Sequence, residues 1–172
     1  MDTIEALKTR RSIRHYKKTE IDDAVLDKVL EAATYAPSGR GLQAPVLVVV
    51  KDDEKREQLR KLNLMFYLGN VEDPYFGAPV IVLAFASKDV NTYIEDASCT
   101  LTYLMLAAHA EGLGTCWVHR EREMFKTKEG KALMKEWGLD DKYEGIGSVS
   151  IGYPDCDLTR PAPRKDGYII KD

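Results

Sequence analysis

The stretch from Asn91 to Glu111 constrains the fold more than any other. Its helical spacing puts Ala97, Leu101, Leu104, Met105 and Ala108 on one side. Cys99, Thr100, Tyr103, Leu106 and Ala107 make much of the other side apolar too. A helix apolar nearly all round has to be buried, either in its own core or against another subunit. Ala97, Ser98, Ala107, Ala108 and Ala110 are small enough to let neighbours approach closely, and Gly112 supplies the stop. The rest of the chain has to wrap this helix.

The flanking elements read as a mixture of helices and strands. A short helix over residues 2–9 leads into the basic stretch Thr9-Arg10-Arg11-Ser12-Ile13-Arg14. Asp22 or Asp23 caps a second helix, in which Val25, Leu26, Val29, Leu30 and Ala33 recur at helical spacing and which Pro37 ends. The loop from Ala36 to Pro45 carries two glycines and two prolines, so its amides can approach a ligand closely. It is equally an ordinary connection to the next strand. Val46–Val50 is a continuous β-branched run, which predicts a strand buried on both faces. A charged helix follows from Asp53 to Leu68, then a second buried strand from Val80 to Ala86. After the long helix come a short strand at Gly114–Val118, a helix from Glu123 to Trp137 and a last strand from Ile146 to Gly152. The tail from Asp155 contains Pro161 and Pro163, yet Tyr168, Ile169 and Ile170 need cover. Such a tail fringes its own sheet or lies on a partner.

Composition removes several function classes. At 172 residues the chain suits one domain over residues 1–172, and 44% hydrophobic with 31% charged residues is ordinary for a globular protein. A net charge of −3 argues against a general nucleic-acid binder. No apolar run nears the roughly 18 residues that span a bilayer, and the N-terminus lacks a signal-peptide pattern. No membrane partner is therefore expected, and a cytoplasmic location is. Cys99, Cys116 and Cys156 are odd in number and far apart, which fits free thiols in a reducing compartment. They and His15, His109 and His119 show no metal-ligand spacing, so no metal is expected.

The chemistry-bearing residues form two basic groups. Arg10, Arg11, Ser12 and Arg14 bring three guanidinium forks and a hydroxyl together; this is either a solvated turn or a phosphate clamp. Arg160, Arg164 and Lys165 lie among prolines that hold the tail extended. Cys116 is a conceivable nucleophile with His119 three residues later, but in a strand the two face opposite ways, which favours a structural cysteine. Gly112-Leu113-Gly114 lacks the third glycine of a dinucleotide fingerprint and precedes a strand. Phosphate binders without a nucleophile or base point to a bound organic cofactor that carries the reaction.

The order of motifs narrows this further. An early Arg10-Arg11-Ser12-Ile13-Arg14 is followed by Ala36-Pro37-Ser38-Gly39 with Gln43 before a strand. Then come a long apolar helix ending in Gly112-Leu113-Gly114, a Gly152-Tyr153-Pro154 strand end and a terminal Pro163-Arg164-Lys165. This order resembles the nitroreductase family of FMN-dependent NAD(P)H oxidoreductases across nearly the whole chain. The resemblance implies an α+β fold, with a mixed, largely antiparallel sheet flanked by helices. It implies a homodimer with shared active sites and an extended C-terminal arm exchanged between subunits.

By position, the resemblance places Arg10, Arg11, Ser12 and Arg14 at the FMN phosphate and ribityl end, with Arg164 and Lys165 reaching the same phosphate. It places Pro37, Ser38 and Gly39 against the isoalloxazine from the other subunit, and Asn70 at the pyrimidine edge. Trp117, Val118, His119 and Arg120 would lie against the ring, with a backbone amide near His119 or Arg120 directed at flavin N5. Gly41 stands where family members commonly carry asparagine, Pro45 where an aromatic is common, and Asp73 where some carry lysine. The expected activity is ping-pong hydride transfer from NADH or NADPH to a nitroaromatic, quinone or similar conjugated acceptor. The flavin carries the chemistry, so no catalytic side chain is expected. The alternatives are a non-catalytic FMN carrier or sensor, or a specialised reductive dehalogenase or flavin-modifying member.

Overall fold

The computed structural model describes residues 1–172. Four strands form one antiparallel sheet: β1 (Pro45–Val50), β2 (Val80–Ser87), β3 (Gly114–Val118) and β4 (Tyr143–Gly152), in the order β1-β2-β4-β3. The helices are α1 (Thr3–Thr9), α2 (Asp23–Thr34), α3 (Asp53–Leu64), α4 (Tyr93–Ala110), α5 (Glu121–Met124) and α6 (Lys128–Glu136). This is the expected α+β architecture. No helix is long and apolar enough to cross a membrane.

Three layers follow from the period-2 alternation along β2. Val80, Val82, Ala84 and Ala86 face one side and pack with Leu26, Val29 and Ala33 of α2 and Ala97, Leu101 and Leu104 of α4. Ile81, Leu83 and Phe85 face the other side, against Leu59 and Leu62 of α3, Met124 and Leu133. β2 is thus the strand covered on both faces.

β1 is not. It was expected to be buried on both faces, but it is the edge strand, and its residues are part-exposed except Val50. A β-branched run has the same local preference at an edge as at a centre, and only sheet order separates the two. The expected helix from Glu123 to Trp137 is also two. α5 ends at Met124, and Thr127 caps α6 by accepting from the Gly130 amide at 2.9 Å. α3 stops at Leu64, four residues before the expected Leu68.

The segment after α1 lies along the free edge of β3. Ser12 bridges Thr115 in parallel, and the Ile13 amide donates to the Thr115 carbonyl at 2.8 Å. Farther on, the Lys17 amide donates to the Tyr153 carbonyl and the Asp155 amide to the His15 carbonyl, both at 2.9 Å. A Cβ on Gly114 would lie 2.9 Å from Ile13, so a glycine is needed for this close approach.

Where α5 meets α6, a Cβ on Gly130 would sit 2.1 Å from the Met124 carbonyl oxygen. Gly130→Ala should therefore destabilise the fold by about 1–3 kcal/mol, read as a lowered denaturation midpoint in urea.

Candidate functional site

The basic stretch forms a cluster with no carboxylate partner. Arg10, Arg11 and Arg14 take part in no ion pair, whereas the arginines of α3, Arg56 and Arg60, are both paired. Burial pulls the Arg10 guanidinium below its usual range, and the neighbouring Arg11 charge adds to this. The Cys116 thiol lies beneath the cluster. Burial raises its pKa, opposed by the Arg14 charge, a hydrogen bond with Ser12 and the Arg10 charge. Ser12 pairs with Thr115 at the edge of β3, and Arg10 and Arg14, two residues to either side of it, fall on the same face of this segment by the two-residue alternation. Two guanidinium groups and a hydroxyl, held close with nothing anionic to balance them, are a donor set that fits a phosphate.

Arg11 turns elsewhere. Its Nε donates to the Thr159 carbonyl at 3.2 Å and its Nη2 to the Lys8 carbonyl at 2.9 Å, so it ties the end of α1 to the tail. Arg164 donates to the Ala162 carbonyl at 2.6 Å, and Lys165 lies 5.6 Å from the Tyr168 ring. Both are exposed, within the tail itself.

Two side chains of α4 fix the neighbouring loops. At its C-terminal end, His109 Nε2 is 2.8 Å from Thr9 Oγ1, whose own proton goes to the Glu5 carbonyl at 2.7 Å. His109 Nε2 therefore donates. Burial and then the Arg10 and Arg11 charges lower its pKa. At the N-terminal end, buried Asp96 accepts from the Gly39 amide at 2.9 Å and from Thr92 Oγ1 at 3.1 Å. Ser38 accepts from the Gln43 amide at 3.0 Å, so Pro37, Ser38 and Gly39 form a fixed turn.

Asp96 and His109 are thirteen residues apart in one helix, so roughly 20 Å separates the Pro37 turn from the basic cluster. One chain does not bring these two halves of the expected site together.

Trp117 packs inward over Gly147, where a Cβ would meet its ring at 2.6 Å, and Val118 is buried. His119 lies just beyond the end of β3 and is exposed, whereas Cys116 is buried within the strand. Arg120 has a left-handed backbone (φ 97°) and lies over the Tyr67 ring at 4.2 Å. Asn70 is exposed in the turn beyond α3. Asp73, one of the departures from the family pattern, is engaged by backbone. It accepts from the Tyr75 amide at 2.8 Å and the Gly77 amide at 2.6 Å. That turn sets Phe76 beneath Arg14, at 5.7 Å.

Behind Trp117–Arg120 lies a buried polar group that sequence reasoning missed: Asn63, Tyr75, Glu121 and Ser148. Glu121 accepts from Ser148 Oγ at 2.5 Å, while its second oxygen has no partner. Burial pushes its pKa up to about 7. Burial and then the Glu121 charge raise the Tyr75 phenol well above its usual range. The overlooked signal for Asn63 was its place on the apolar stripe Leu59, Leu62, Asn63 of α3.

The sequence profile described as the Nitroreductase family matches residues 7–153. The chain belongs to the nitroreductase family. An Archaeoglobus fulgidus protein provisionally named NADH dehydrogenase/NAD(P)H nitroreductase is 31% identical over 159 residues, 89% of this chain and 86% of that protein. An FMN-dependent nitroreductase from Clostridium difficile R20291 is 36% identical with a TM-score of 0.77, covering 92% of this chain and 91% of its own. A nitroreductase with bound FMN from Bacteroides fragilis superposes with a TM-score of 0.90 over 100% of this chain and 99% of its own; at 24% identity it shows the shared fold.

Between pH 4.5 and 7 the native state of this nitroreductase-family chain keeps a proton on Glu121 that the unfolded chain has lost. Stability should then fall as pH rises through that window, by roughly 3 kcal/mol for this group. Glu121→Gln should flatten that slope and leave the variant more stable than the parent at about pH 8, measured by thermal unfolding across a pH series.

Proposed function

We propose that the chain is an FMN-dependent NAD(P)H oxidoreductase that works as a homodimer. The observation that carries this reading is the carboxylate-free cluster of Arg10, Ser12 and Arg14 on the edge of β3 in a nitroreductase-family fold. Arg10, Ser12 and Arg14 hold the phosphate; Arg164 and Lys165 reach the same phosphate from the tail, to which Arg11 is tied at the Thr159 carbonyl. The Trp117–Arg120 segment offers its backbone to the ring, and Asn70 its carboxamide to the pyrimidine edge. The chemistry bound FMN supplies is ping-pong two-electron transfer, from NADH or NADPH to a nitroaromatic, quinone or similar conjugated acceptor. The protein orients the nicotinamide and excludes water; no side chain acts as acid or base.

The separation along α4 supports a site shared by two chains. Pro37, Ser38 and Gly39 of the partner subunit would then complete the pocket. Exposed Ile4 and Leu7 on α1 and Tyr103 on α4 leave apolar surface for a partner to cover. Exposed Tyr168, Ile169 and Ile170 and the free edge of β1 fit a C-terminal arm exchanged between subunits.

Arg10→Ala or Arg14→Ala should weaken FMN binding by about 1.5–3 kcal/mol for each charged hydrogen bond lost, measured by fluorescence titration, while size-exclusion chromatography still shows a folded dimer. Unchanged affinity in both variants would remove the phosphate assignment. The FMN-loaded protein should lose its flavin absorbance with NADH or NADPH under anaerobic conditions and regain it when a quinone is added. Tight FMN binding without bleaching would instead identify a carrier or sensor.

A further inference from the structure

Asn63 is wholly buried on the core side of α3, where an unpaired carboxamide would be costly. Its hydrogen bonds reach the segment that follows β3. Nδ2 donates to the His119 carbonyl at 2.9 Å, and Oδ1 accepts from Arg120 Nη1 at 3.3 Å. Arg120, with φ 97° and ψ 10°, is in a region that residues other than glycine rarely occupy. Its surroundings hold it there. The guanidinium is fixed by Asn63 and Tyr67, and the Arg120 carbonyl accepts from the Glu123 and Met124 amides at 3.0 and 2.9 Å, opening α5.

The His119–Arg120 peptide is trans, as all are in this chain. In a planar trans peptide the carbonyl oxygen and the N–H point in opposite directions. Asn63 draws the His119 oxygen inward to the core, so the Arg120 N–H points outward. Within the chain that amide has no acceptor.

We propose that Asn63 is a positioning residue: by fixing the His119–Arg120 peptide plane, it presents the Arg120 amide to a hydrogen-bond acceptor on the bound isoalloxazine. This rests on the FMN reading above. It also gives a reason for keeping a left-handed arginine where a glycine would cost less strain. The side chain is one of the two anchors of the plane.

The test is amide nuclear magnetic resonance of the full chain, flavin-free and FMN-loaded. FMN should shift the Arg120 amide and slow its hydrogen exchange by at least about tenfold, alongside shifts at Ser12 and Arg14. In Asn63→Ala the Arg120 response should disappear and FMN affinity should fall by about fivefold to tenfold, with Ser12 and Arg14 still responding. Asn63→Asp keeps an acceptor for Arg120 but loses the donor to the His119 carbonyl, so it should behave like the alanine variant. An Arg120 amide that FMN leaves unmoved in the parent, while Ser12 and Arg14 respond, overturns the proposal and leaves the FMN reading intact. So does an undiminished Arg120 response in either variant. If FMN moves none of the three amides, the FMN reading fails and this proposal with it.

Discussion

The burial of α4 against the sheet organises this molecule. Ala97, Leu101, Leu104 and Ala108 are fully buried against the Val80, Val82, Ala84 and Ala86 face of β2. Burying such a stripe contributes on the order of 1.5–3 kcal/mol per large aliphatic side chain, so the helix is rigidly placed. Each of its ends then holds one loop: Asp96 fixes the turn at Gly39, and His109 fixes Thr9 ahead of the basic cluster. The length of α4 sets the distance between the two loops and keeps them apart within one chain.

The site is built at the other edge of the sheet by small residues and unpaired charge. Gly114 lets Ile13 approach β3 closely, which sets the Arg10–Arg14 segment along the edge of that strand beside buried Cys116. Burial, and after it the Arg11 charge, lowers the Arg10 pKa, so keeping this guanidinium charged and unpaired works against stability. An anion bound beside these guanidinium groups would offset that cost. Cys116, drawn into the question by its proximity to His119, is the buried floor beneath the cluster.

Much of this was legible in the chain. Helical spacing gave α2 and α4, alternation gave β4, and a continuous apolar run gave β2, because each pattern directly reflects how many faces are buried. The basic stretch and the glycine-rich turns were visible for the same reason: their residue types carry their chemistry with them. The edge position of β1 was not visible, since strand order depends on pairing partners distant in sequence. The break between α5 and α6 was also missed. The apolar pattern continues across it, and the capping role of Thr127 emerges only when Gly130 is pressed against the Met124 carbonyl.

The sequence by itself determined most of the secondary elements, the family and the donor types available for a phosphate, because each is a local or ordered property of residues. Tertiary structure alone decided which donors meet. It turned Arg11 towards the tail and engaged Asp73 with the Tyr75 and Gly77 amides. It buried Asn63 and Glu121 behind the Trp117–Arg120 segment. The long helix read first as a core element that some other surface must cover. In three dimensions it is also the spacer that sets the Pro37 turn roughly 20 Å from the arginines, because a rise of fixed length per residue becomes a distance only once both loops are tied to its ends.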